Sequence, residues 1–275
     1  MKRHIFGYTT EQLAPYIDWC YFFHAWGISP QSFEREKAQE VRHDAERLLH
    51  KITGKKVASA IFTLCQAQGK GDNIIIEGTT IPLLRQQHAL PGEPNLCLSD
   101  FIAPDSDQIG LFATSVSEDI FNTSNDTYTQ LLAQTLASRL AEAAATLLHQ
   151  DVRRSKHLWG YAPNEKLTPA ELNAEKYCGI RPAVGYPSLP DQSIIFIIDS
   201  LLNLQEIGVT LTQNGAMSPP ASVCGLMIAH PAARYFAVGN ISNEQLCDYS
   251  KRRGLTSEDL HKFLYKNLQN KPFST

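Results

Sequence analysis

Residues 209–241 hold three strand-like segments, VTLTQ, SVCGLMIAH and RYFAVGNI, separated only by short turns. Parallel strands need a crossover of a dozen residues or more, usually a helix, so strands this close along the chain pair antiparallel. That rule disfavours a doubly wound nucleotide-binding fold and points to an α+β fold built on an antiparallel sheet. IIIEG and TTIPLLRQ add a further strand pair, and CLSDFIAP reads as another strand. Helices are expected from Phe33 to Ile52, where Ala38, Val41, Ala45, Leu48, Leu49 and Ile52 recur at helical spacing, and near 57–67. The longest runs from Tyr128 to Arg154, with Leu132, Leu136, Leu140, Ala143 and Leu147 as its apolar stripe. Thr168-Pro169-Ala170-Glu171 combines an N-cap, a proline at the first helical position and a capping-box acid, opening a short helix toward Tyr177. Residues 192–206, Ser242–Arg253 and Ser257–Leu264 read as the remaining helices. No linker composition, repeat or low-complexity tract divides the chain, so one domain over residues 1–275 is expected.

The charges, 25 Lys+Arg against 28 Asp+Glu, leave a net of −3. A duplex-binding protein needs a basic excess to neutralise phosphates, so nucleic acid is not an expected partner. No apolar run reaches the ~18 residues of a membrane span, and the N-terminus lacks the apolar core of a signal peptide, which leads us to expect a soluble, cytoplasmic protein. The six cysteines stand no closer than 23 residues apart (224 to 247), without a C-x-x-C pair. Free, buried thiols are the expected state.

Nine histidines invite a metal site, yet His43 and His50, on one helix face, lie about 10 Å apart along the axis, too far for two ligands of one ion. No H-E-x-x-H, Cys-pair or EF-hand spacing occurs, so no metal is expected, and His24, amid aromatics, reads as a core histidine. The glycine fingerprints of nucleotide sites and the G-x-S-x-G elbow are likewise missing.

Arg181-Pro182-Ala183-Val184-Gly185-Tyr186-Pro187 is the segment best suited to chemistry. Two prolines stiffen the backbone around a glycine that permits close approach, and an arginine and a tyrosine project from the loop. Such an arginine can grip a ligand carboxylate through two parallel hydrogen bonds, or simply pair with a neighbouring aspartate in a turn. Asp18, inside the aromatic run IDWCYFFHAW, either caps a helix or serves a buried cation, because an unpaired buried carboxylate is costly. Glu142 lies off the apolar stripe of its helix, where an i,i+3 pair with Arg139 would explain it. Tyr235-Phe236, in a strand candidate, reads as core.

Together, IDWCYFFHAW, CLSDFIAP, SRLAEA, WGYAPNEKLTPAEL, GIRPAVGYPSLPD, AMSPPASVCG and RYFAVGNI span nearly the whole chain. They resemble the C-terminal activation module of cobalamin-dependent methionine synthase. The resemblance implies a single C-shaped α+β domain with a twisted antiparallel sheet flanked by helices, binding S-adenosylmethionine in a shallow groove. It implies that Arg181 meets the ligand carboxylate, that Ala183, Gly185 and Tyr186 supply loop contacts, that Asp18 and Glu142 serve the amino group and ribose, and that Tyr235 and Phe236 complete the site. It further implies reductive reactivation of cob(II)alamin in methionine biosynthesis, with cobalamin held by the partner and an electron donor such as a flavodoxin. No catalytic nucleophile or general acid/base is expected. The chain carries no homocysteine, folate or cobalamin-binding region, so it is expected to serve a separate methionine synthase; a binding module or sensor for another corrinoid protein is the alternative. Gln192 stands where the family often has histidine.

Overall fold

In the computed structural model, which describes residues 1–29, 36–121 and 126–268, the fold is organised around one long strand, β2 (Lys56–Lys70). One edge of β2 pairs antiparallel with β5 (Asp107–Val116), from Ala58↔Val116 to Ala67↔Asp107. Its other edge takes two strands end to end, β1 (Arg3–Thr9) and then β3 (Asn73–Ile76), with β4 (Thr79–Pro82) beyond β3. β8 (Ser222–Met227) pairs with β5 and completes a curled six-stranded antiparallel sheet. A second sheet has two short strands, β6 (Thr210–Leu211) and β7 (Met217–Ser218).

From Val57 to Cys65 both faces of β2 are turned inward. Phe62 and Ala60 face one core, shared with Phe112 of β5 and the apolar sides of α2 (Trp19–Ala25), α3 (Glu36–Lys51) and α4 (Thr127–Arg154). Ile61 and Cys65 face the other, packed with Ile109, Leu111 and α6 (Ile194–Leu202). The alanines of α4 let the helix press close to the sheet, and the buried Thr114 hydroxyl donates to the Ala141 carbonyl at 2.9 Å. A short α1 (Thr10–Leu13) follows β1, and α5 (Pro169–Asn173) begins at the expected Thr168 capping box but ends before Tyr177.

At the C-terminal end, α7 (Asn243–Arg253) and α8 (Ser257–Leu264) start at the Ser242 and Thr256 caps and enclose a small third core around Leu246, Tyr249 and Leu260. A buried knot ties α7 to the start of α6. Asp191 accepts from the Tyr249 hydroxyl at 2.7 Å and from the Ser193 N–H and hydroxyl at 2.8 and 2.7 Å. Arg253 pairs with Asp191 at 3.2 Å and donates to Ser193 Oγ at 2.7 Å.

Several sequence expectations are corrected. Residues 57–67 are not a helix but most of β2; a strand buried on both faces lacks polar alternation, which makes its apolar run indistinguishable from a helical one. CLSDFIAP is a 3₁₀ turn at Leu98–Phe101, closed by Asp100 accepting from the Cys97 N–H at 2.8 Å. RYFAVGNI forms no strand: Phe236 donates to Ser188 Oγ at 3.1 Å and Val238 to the Pro187 carbonyl at 2.9 Å, both in the neighbouring loop, while Ile241 donates to the Asn267 carbonyl at 2.7 Å. His24 lies on the exposed side of α2 rather than in the core. All six cysteines are free, with Cys65, Cys97 and Cys224 buried and Cys20 and Cys247 exposed. The predicted helix start at Phe33 lies outside the described residues.

Candidate functional site

The free edge of β8 is covered by the Pro/Gly-rich loop. Ile180 and Ile228 exchange N–H···O bonds, both 2.9 Å, Leu226 donates to the Pro182 carbonyl at 3.0 Å, and Val184 donates to the Cys224 carbonyl at 2.9 Å. Pro182 takes part through its carbonyl alone: its missing N–H faces β8, so that rung of the ladder has one bond where Ile180 and Ile228 have two. Gly225 permits this contact: a Cβ there would lie 2.2 Å from the Pro182 carbonyl oxygen. Residues 235–238 strap the loop on its other side, as described above. The tip is a tight turn, with the Gly185 N–H donating to the Leu189 carbonyl at 2.8 Å.

Beside this loop opens a cleft of about 490 Å³, of the size that takes a small molecule. Arg181, Ala183 and Tyr186 line it from the loop, Arg139, Glu142 and Thr146 from α4, Asp18 from the start of α2, and Tyr235 and Phe236 from the strap. Every residue anticipated from sequence lines it except Gly185, whose contribution is conformational: its φ is +84°, and a Cβ would meet Gln192 Oε1 at 2.6 Å.

The charges within the cleft are only partly matched to one another. Arg181 donates to the Thr146 hydroxyl at 2.8 Å and lies 3.6 Å from Glu142 Oε2, while its buried Nε has no hydrogen-bond partner among the described residues. Glu142 turns to the loop rather than to Arg139, pairing with Arg181 and accepting from the Tyr186 hydroxyl. Arg139 instead lies over the Tyr21 ring, 6.0 Å from its centroid. Asp18 caps α2, with Oδ1 accepting from the Cys20 and Tyr21 N–H groups at 2.9 and 3.1 Å. Of the two roles open to it from sequence, helix capping is realised, at the cleft wall. Burial raises the Tyr186 phenol, helped by the Glu142 charge, and raises Tyr235 well above the ordinary tyrosine range, so both stay protonated near neutrality.

Sequence reasoning missed Thr146 and Glu175. Thr146 stands four residues after Glu142, one helical turn along the same face, and that spacing was the available signal. Glu175 gave none: it occupies the left-handed position just past α5, φ 56°, where glycine is usual, and so aims a carboxyl at the cleft. Burial raises its pKa, partly offset by Arg181.

Residues 9–254 match the vitamin B12 dependent methionine synthase activation domain family. The chain belongs to that family. Among solved structures, the crystal structure of the MetH reactivation domain bound to AdoHcy superposes with a TM-score of 0.88 at 35% identity, covering 98% of this chain and 91% of that one. The antiparallel α+β architecture is thus that of an activation domain, and the Arg181 loop is an element of it. Among the described residues, no three His, Cys, Asp or Glu side chains gather as a metal site, and no helix is long and apolar enough to cross a membrane.

Proposed function

We propose that this activation domain binds S-adenosylmethionine in the Arg181 cleft and supports reductive methylation of cob(II)alamin held by the cobalamin domain of a separate methionine synthase, in the cytoplasm and in the service of methionine biosynthesis. The observation that carries this reading is the state of Arg181, a guanidinium with one buried N–H group left unpartnered, next to an acid 3.6 Å away. An amino-acid tail brings a carboxylate for the arginine and an ammonium for the acids, so both charges find better partners on binding. Glu142 and Asp18 serve the ammonium and the ribose, and Ala183, Tyr186, Tyr235 and Phe236 enclose the rest. The AdoHcy in the related crystal structure is what remains of S-adenosylmethionine once its methyl has left, which supports the same reading.

Methylation of cob(II)alamin consumes one electron, from a donor such as a flavodoxin, and one methyl from S-adenosylmethionine. The protein's part is to bind and orient. An open cleft suits that task, because the methyl must reach a corrin on another surface; Tyr186, 49% exposed, stands where the cleft meets solvent.

Calorimetric titration tests the binding step. S-adenosylmethionine should bind the wild-type chain, and Arg181→Ala should cost about 1.5–3 kcal/mol, roughly tenfold to a hundredfold in affinity. Unchanged affinity in that variant removes the carboxylate clamp. Added in trans to a synthase core that carries cob(II)alamin, with reductant and S-adenosylmethionine, the chain should restore the methylcobalamin spectrum; an unchanged spectrum removes the reactivation role.

A further inference from the structure

The segment WGYAPNE, so distinctive in sequence, contributes no side chain to the cleft, and its place is one layer beneath it. Arg153, at the end of α4, is fully buried. Its Nε donates to Glu165 Oε2 at 2.7 Å and its Nη2 lies at the same distance from that oxygen. The other Glu165 oxygen accepts from the Cys178 N–H at 3.1 Å, so a single carboxylate holds both the arginine and the backbone that leads into the loop. The guanidinium lies under the ring of Tyr177, 4.7 Å from its centroid, while His149 meets the same ring edge-on at 4.9 Å. Tyr161 in turn fixes His149, hydroxyl to Nε2, at 2.9 Å.

Tyr177 is therefore clamped from several sides, and its hydroxyl meets a residue that lines the cleft. It lies 2.9 Å from the Tyr235 hydroxyl, which accepts the backbone N–H of Arg181 at 2.9 Å. We infer that Tyr177, seated on the Arg153–Glu165 pair, is a positioning residue for recognition of the ligand's carboxylate: it fixes the Tyr235 hydroxyl and through it the backbone from which the Arg181 side chain springs. The inference rests on the reading of the cleft as an S-adenosylmethionine site. A guanidinium delivers its parallel hydrogen bonds only within a narrow range of angles, so anchoring the main chain at its root sharpens the contact. Burial raises both phenols above the ordinary tyrosine range, so the relay passes no charge near neutrality.

The test compares two ligands, S-adenosylmethionine and its decarboxylated analogue, on the wild-type chain, Tyr177→Phe and the same substitution in an Arg181→Ala background. Tyr177→Phe should weaken S-adenosylmethionine by about five- to tenfold, the size of one net hydrogen bond. It should leave the analogue's affinity unchanged, and in the Arg181→Ala background it should cost nothing further. A purely structural role predicts equal losses for both ligands, and that result, or no loss for either, overturns the inference. If Tyr177→Phe does not fold, Glu165→Gln, which loosens the arginine beneath the ring, must show the same ligand-selective loss. Failure of the wild-type chain to bind S-adenosylmethionine at all would instead remove the cleft reading, and the positioning role with it.

Discussion

Two arginines stand at opposite ends of one loop, and the fold treats them differently. Arg253, against Asp191 at the loop's end, belongs to a closed set: side chains 8% and 2% exposed, with Tyr249 and Ser193 supplying the remaining hydrogen bonds. Arg181, near the loop's start, has one good neutral contact, a distant acid and an unpartnered Nε. A buried ion pair contributes to stability only when further hydrogen bonds support it, and at the Asp191 end both carboxylate oxygens and two guanidinium nitrogens are engaged. The Arg181 end is less fully engaged, and the shortfall is what an arriving zwitterion can make good. The same residue type serves anchorage at one end and recognition at the other, and the cleft tells them apart: Arg181 lines it with an unpartnered Nε, whereas the buried Arg153, also without hydrogen-bond partners at Nη1 and Nη2 among the described residues, lies outside it.

The strongest way to break the contrast is Asp191→Ala. It strands the Arg253 charge in the interior and should lower unfolding stability by about 3–5 kcal/mol in a denaturant titration. Arg181→Ala should lower it far less, and equal losses from the two substitutions would erase the distinction.

A second, smaller effect lies in the layer behind Arg181. Burial, reinforced by Arg153 and Arg181, holds the His149 pKa well below the ordinary histidine value of 6.5. The unfolded chain therefore takes up a proton near pH 6.5 that the folded one refuses, so stability is full above that pH and falls as the pH drops through it. The slope approaches about 1.4 kcal/mol per pH unit. Urea unfolding at pH 7.5 and 5.5 should show a larger acid loss for wild type than for His149→Gln; equal losses would mean that the ring is not held neutral.

The smallest effect sharpens the role of Asp18. Asp18→Asn keeps an oxygen to cap α2, so the melting temperature of the ligand-free protein should hold, while S-adenosylmethionine affinity falls by about tenfold through loss of charge. Asp18→Ala should also lose about 0.5–2 kcal/mol of stability, because the cap itself goes. A large drop in melting temperature for Asp18→Asn would make the residue structural only.

What could be read from the sequence was whatever carries a local signature. The α4 stripe, the caps at Thr168, Ser242 and Thr256, and the β3–β4 pair depend on neighbours a few residues away, and each forms where expected. β2 was missed because its environment is set from both faces by distant elements. RYFAVGNI has strand composition, but the N–H groups of Phe236 and Val238 are claimed by residues 187 and 188, some fifty positions earlier. In the cleft, residues within recognisable motifs could be anticipated. Glu175 could not, because it depends on where α5 stops, and neither could the turn of Glu142 away from its helical neighbour toward a loop 39 residues later.

The main-chain ladder between residues 180–184 and β8 gives the Arg181 loop the permanence of a sheet rather than the latitude of a turn. Moving the arginine means unzipping an edge, which local breathing does not supply. Adaptation to differently shaped ligands must therefore come from lining residues outside the loop, such as Tyr21 on α2 and Arg139 on α4.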